Sequence, residues 1–397
     1  MLTEFPVVDP VGPAQAAMPE ATCVIAEFIA PAATAVDQSG VPRSHWDRLA
    51  EADLLPVGRS TAQTREITEL LAGADASTWF CWAQHACPTN LIAGAEQTSE
   101  NPDLPSLRAR YLPDLRSGAL LAATAFAHVR RPGPPNPVAV RTPTGWQVSG
   151  TLDWVTSWDI ADVVQIMVRG SGPDQDRFLC FLLATRERIE GLTVGPPLQL
   201  LAMSGTHTRP VQLHNLHVPT ERVIAVLDVP TWQAQDALRT AQASPAIFGL
   251  IRAGLAELQV IADSGSGRRQ VAELLERGVQ DCRALRAAAY ALTDADDTTA
   301  SGIATALDLR AAVLDLAVQV ATSVITQRAG AAMLTGCSAE RRLRETMFLQ
   351  VQAQTAATRQ AMNARALDRP HRFRGTGSTL GTEMVEPTSL VAVTEHR

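Results

Sequence analysis

The apolar residues of this 397-residue chain change their spacing twice, and that double switch bounds the fold more tightly than any other feature of the sequence. From Ala21 to about Leu115 they recur at three- and four-residue intervals, punctuated by Pro42, Pro56, Pro88 and Pro105, which is a helical period. Between Ala119 and Asp228, short runs rich in β-branched and aromatic residues (145–148, 163–169, 178–183, 210–218) alternate with Gly, Pro and Asp turns. After Pro230 the helical period returns, and Leu314, Val318, Ala321 and Ile325 line one stripe of a long helix. The pattern predicts an α+β fold in three parts: an N-terminal α-helical domain over 1–118, a middle antiparallel β domain over 119–228, and a C-terminal four-helix bundle over 229–368. Residues 369–397 show no period and read as a mobile tail. Ser44 with Asp47 three residues later is expected to cap a helix over 45–52.

Composition removes several classes of function. A net charge of −7 with no long basic run leaves no footprint for nucleic acid. All 34 basic residues are arginine, so neither a Schiff-base lysine nor a P-loop lysine exists. No uninterrupted apolar run reaches the length of a bilayer, and Glu4 and Asp9 argue against a secretory leader, so no membrane association is expected. Six cysteines without a CxxC pair suggest a reducing, cytoplasmic setting and no zinc ribbon.

Four stretches carry a family resemblance. The segment 145–164 reads GWQVSGTLDWVTSWDIADVV, with a strand, an SG turn, a W-V-T tripeptide and an A-D strand. Residues 202–223 read AMSGTHTRPVQLHNLHVPTERV, 327–330 give Q-x-x-G, and 340–345 read ERRLRE. In this order they resemble the acyl-CoA dehydrogenase superfamily across nearly the whole chain. The resemblance implies FAD at the junction of the sheet and the C-terminal helices, with FMN or a diffusible reduced flavin as alternatives. It places Trp154, Thr156 and Ser157 against the flavin ring and His128 on a neighbouring loop. Gln327 and Gly330 would reach the adenine half from a second subunit, and Thr355 would touch the flavin. A homodimer or homotetramer, or a heteromer, would follow, as would an acyl-thioester or other small-molecule substrate and an electron-transfer or flavin-reductase partner. The ring needs a flat apolar wall and hydrogen-bond donors along one edge, which the 154–157 segment can supply.

The sequence also departs from the family. Removing an α-proton calls for a carboxylate above the ring. The usual Glu position, two residues before Thr355, holds Ala353, and the position that serves a minority of members offers Arg239, with Asp236 close by. Asp236 is therefore the candidate base. The arginine that holds the FAD pyrophosphate is missing, and Arg268 or Arg269 is the substitute, the alternative being a solvated helix start. The stretch 75–85, DASTWFCWAQH, is similar to that of flavin monooxygenases on this fold, which makes His85 a candidate on the substrate side. His214 and His217, three apart in a strand, should point to opposite faces, so no metal site is expected. Glu340 and Glu345 among Arg341, Arg342 and Arg344 read as structural ion pairs. Three functions remain open: flavin-dependent dehydrogenation of an acyl thioester with a non-standard base, oxygenation by reduced flavin, and a non-catalytic subunit of a heteromeric dehydrogenase.

Overall fold

The computed structural model describes residues 9–264 and 268–368, so the tail and Gly265 to Gly267 lie outside the described residues. The N-terminal helices are α1 (Pro19–Val24), α2 (Ala33–Ser39), α3 (Arg43–Glu51), α4 (Thr61–Ala74), α5 (Ala76–Gln84), α6 (Ala86–Gly94) and α7 (Leu104–Ser117). Helix α3 starts at Arg43, earlier than expected. Pro42, extended at ψ 150°, occupies the capping position without a side-chain bond, and Ser44 lies inside the helix. The reciprocal cap is found instead at α4, where Ser60 accepts from the Gln63 amide at 3.3 Å and Gln63 accepts from the Ser60 amide at 3.2 Å. Asp75 caps α5 by accepting from the amides of Ser77 and Thr78.

The middle of the chain forms one sheet of β1 (Ala122–Ala125), β2 (Val138–Thr142), β3 (Gly145–Val155), β4 (Val163–Gly170), β5 (Arg177–Ala184), β6 (Leu192–Val194), β7 (Arg209–Pro219) and β8 (Val223–Asp228), in the order β6-β7-β3-β2-β4-β5-β8. It is not purely antiparallel as expected. β1 and β2 run parallel to β4 and lie end to end along its one edge, while β5 pairs antiparallel on the other. A two-residue period tells which face is buried and nothing about strand direction. β4 and β5 are buried on both faces, because α7 and the first C-terminal helix cover the side bearing Met167 and Phe178.

The C-terminal helices are α8 (Val229–Ala241), α9 (Pro245–Ser264), α10 (Arg268–Asp294), α11 (Ala300–Arg328), α12 (Ser338–Val351) and α13 (Ala356–Asp368). Helices α9 to α12 pack on one another, and α4 lies against α9. That last approach depends on missing side chains: a Cβ on Gly249 would sit 2.3 Å from the Glu69 carbonyl oxygen, and one on Gly73 would sit 2.7 Å from the Gly249 carbonyl oxygen. In α11 Leu314 and Ala321 of the expected stripe are buried and Val318 and Ile325 only half-buried, while Val313, Ala317, Val320 and Val324 beside them are buried as well. The helix is apolar on most sides, so spacing alone cannot say which stripe faces in.

Three helical stretches, Pro19–Ser39, Val229–Ser264 and Ala300–Met333, are long and apolar enough to cross a bilayer, contrary to the expectation. The second and third are 78% and 56% buried within the protein over their apolar windows, so their apolarity serves the interior of the bundle.

Candidate active site

A cavity of 380 Å³ opens where the three parts of the chain meet. Cys87 of α6, Phe126 and Arg130 just beyond β1, and Met167 of β4 form one wall. Trp232, Asp236 and Arg239 of α8 face them, and Arg310 of α11 with the Gln352–Ala353 turn closes the end. Ala353, at the position where the resemblance calls for a carboxylate, lies on the lining with a left-handed φ of 52°. An alanine held there stores about 1 kcal/mol of backbone strain.

Among the described residues Asp236 is the sole carboxylate on this lining. It is buried, and both its oxygens accept from Arg130, at 2.7 Å each, with Arg239 3.9 Å away at the more exposed side. Arg130 takes one acceptor site on each Asp236 oxygen and so fixes the plane of the carboxylate. Arg310 is 4% exposed and has no ion-pair partner among the described residues. It donates through Nη1 to the Thr240 carbonyl and through Nη2 to the Gln352 carbonyl at 2.7 Å, while its buried Nε has no acceptor. Burial without a counter-charge, with Arg130 nearby, lowers its pKa to about 10. Holding a guanidinium this way costs several kcal/mol.

None of the expected flavin-facing residues is on the lining of this cavity, and of them His128 bonds to the backbone of a lining residue, Met167. Trp154 is 48% exposed at the end of β3. The preceding Asp153 pairs with Arg131, beside the cavity's Arg130. Thr156 is buried and bonds to Thr208 at 3.2 Å, which in turn bonds to Thr206 at 2.7 Å. Ser157 is fully buried at φ 65°, with the Cys81 thiol within hydrogen-bond reach of its hydroxyl. His128 is held by the Met167 carbonyl at 2.6 Å, and burial lowers its pKa to about 4. The half-exposed Trp154 indole fits one face of a planar ring.

His85 is a core residue, not a substrate-facing one. It has no exposure, its Nε2 donates to the Leu115 carbonyl at 2.8 Å, and its Nδ1 accepts from the Ala122 amide at 3.0 Å. Trp46 packs on the ring at 4.6 Å, and burial lowers the pKa to about 4. With both nitrogens bound to backbone, the ring pins α7 and β1 to the α5–α6 corner and has no free lone pair for chemistry. A lone histidine in a helical pattern looks the same in sequence whichever role it has.

Gln327 and Gly330 are exposed at the end of α11, and a Cβ on Gly330 would meet nothing within 4 Å, so nothing in the protomer demands glycine there. Thr355 opens α13, its hydroxyl accepting from the Thr358 amide at 3.2 Å. Arg269 pairs with Glu273 at 3.0 Å on an exposed helix start, and the side chain of Arg268 lies outside the described residues. His214 and His217 are both exposed on the same side of β7, because a left-handed Asn215 at φ 51° inserts a bulge between them. No cluster able to hold a metal occurs among the described residues. The ERRLRE stretch forms the expected ion pairs: Arg341 with Glu345, Arg342 with Glu257, and Arg344 with Glu340 and Asp37. Burial raises Glu345 to about 7.

Sequence reading missed Arg130 and Arg310. The available signal for the second was an arginine inside the long apolar run ALDLRAAVLDL.

Solved structures match this arrangement along nearly its whole length. An acyl-CoA dehydrogenase from Geobacillus kaustophilus aligns with a TM-score of 0.70 and 16% identity, over 89% of this chain and 100% of that one. A glutaryl-CoA dehydrogenase from Mycobacterium smegmatis, in complex with FADH2, gives 0.69 and 14% over 89% and 94%. Butyryl-CoA dehydrogenase from Megasphaera elsdenii gives 0.65 and 15% over 88% and 96%. The chain has the acyl-CoA dehydrogenase fold. Neither a family model nor a curated protein sequence matches it.

Proposed function

We propose that this protein is a flavin-dependent oxidoreductase of acyl-CoA dehydrogenase type that holds FAD against Trp154 and Ser157 and oxidises an acyl thioester in the adjoining cavity. The observation that carries the reading is the cavity itself, walled by the sheet on one side and by the Gln352–Ala353 turn on the other. Bound flavin would supply the hydride acceptor. Trp154 would cover one ring face, with the 156–157 segment beside it at the ring edge. Asp236 is the proton acceptor in this reading, and Arg130 fixes the orientation of its carboxylate. Exposed Gln327 and Gly330, followed by exposed Met333 and Leu334, support completion of the cofactor site by a second copy. An electron-transfer partner would reoxidise the flavin. All six cysteines are free, in keeping with a cytoplasmic setting.

A second reading, oxygenation by reduced flavin, is favoured by Ala353, since that reaction needs no carboxylate above the α-carbon. The test is absorbance of the purified chain with FAD, then anaerobic mixing with butyryl-CoA. Retention of FAD that weakens in Trp154→Ala, with bleaching that Asp236→Asn abolishes, supports dehydrogenation. Retention without bleaching, but with oxygen uptake on chemical reduction and hydroxylated product, supports the second reading. A folded chain that retains no flavin overturns both and leaves a non-catalytic subunit.

A further inference from the structure

The charges on the cavity lining do not balance. Three guanidinium groups, Arg130, Arg239 and Arg310, face one carboxylate, Asp236, which leaves two positive charges unmatched among the described residues. Arg130 takes both Asp236 oxygens, and Arg239, the more exposed, stands 3.9 Å from the same carboxylate. The deficit therefore falls on Arg310 in the interior. A guanidinium offers five N–H donors, and here two are used, both by backbone carbonyls of segments that border the cavity. Those carbonyls hold the group in place yet bring no full negative charge. Bridging two carbonyls does not need a charged side chain, so the charge itself calls for another explanation.

We propose that the cavity takes a substrate bearing a free carboxylate, and that Arg310 is the residue that receives it. The planar fork of Arg310 matches a carboxylate in shape and charge, and its Nε has no acceptor among the described residues. Its neighbours Gln352 and Ala353 place the carboxylate at the end of the cavity where the family resemblance puts a protein carboxylate. The negative charge would thus be carried in by the ligand rather than by the chain. Arg310 acts here as a specificity residue. The inference deepens the function proposed above, because it takes this cavity as the substrate site.

The test is calorimetric titration of the full chain with butyrate and with butyramide, which share size and differ in charge. Wild type is expected to bind butyrate at least about tenfold more tightly. Arg310→Gln should erase the preference while its melting curve stays cooperative, and Arg310→Lys should keep part of it. Equal binding of the two compounds by wild type, or an undiminished preference in folded Arg310→Gln, overturns the proposal. Should Arg310→Gln not fold, the wild-type comparison and Arg310→Lys still decide. The titration is repeated on FAD-loaded protein. A preference that disappears there shows the arginines serving the cofactor's phosphates, which also overturns it. Failure to retain FAD, with the butyrate preference intact, would count against the flavin reading alone.

Discussion

Replacing His85 by alanine separates a structural histidine from a catalytic one. The substitution removes the acceptor for the Ala122 amide and the donor to the Leu115 carbonyl, both deep in the protein. A buried backbone group left without a partner costs about 1–3 kcal/mol, and losing the ring contact with Trp46 adds about 1 kcal/mol. The expected loss is about 4 kcal/mol. Unfolding entropies near 2.1 cal/mol/K per residue give roughly 0.8 kcal/mol/K for a chain of this length, so Tm should fall by about 5 °C. The assay is scanning calorimetry of both proteins, together with flavin retention and turnover well below the transition. Retained flavin and turnover with a lowered Tm is the expected result. An unchanged Tm with abolished turnover would refute the reasoning and return His85 to the reaction.

Acid should destabilise the fold over a defined window. His45, His85 and His128 titrate at about 4 in the folded chain because burial disfavours their charged forms, against 6.5 when free. The unfolded chain therefore binds more protons between those values, and stability is full above pH 6.5 and falls as pH drops toward 4, which urea melts at pH 7 and pH 5 will show. Asp236→Asn leaves the partly buried Arg130 unpaired and should cost about 3 kcal/mol, read as a lower urea midpoint with an unchanged slope. Ala353→Glu introduces a carboxylate beside the Arg310 guanidinium and is expected to weaken butyrate binding by about tenfold in the same calorimeter. Gly249→Ala must push α9 off the Glu69 carbonyl and should lower Tm without altering flavin retention.

The three-part order of helices, sheet and helices was legible in the sequence because it rests on local period, which the chain carries wherever it lies. The runs at 145–148, 163–169, 178–183 and 210–218 announced four of the eight strands in this way, the first of them only at its start. β1, β2, β6 and β8 were not seen, being three to six residues long and carrying few alternations. The absence of a carboxylate at Ala353 was equally readable, since an identity needs no coordinates. Tertiary structure alone decided what meets what. Arg130 and Asp236 are 106 residues apart, and only the packing of α8 against the sheet makes one the clamp of the other. The bulge at Asn215 turned two histidines onto one face, which no spacing rule anticipates. Arg310 in α11 and His85 after α5 are both polar groups in apolar surroundings, indistinguishable in kind from sequence. Folding gave His85 two backbone partners and left the Arg310 charge unanswered, because burial is local to a residue while compensation depends on whatever the fold brings alongside it.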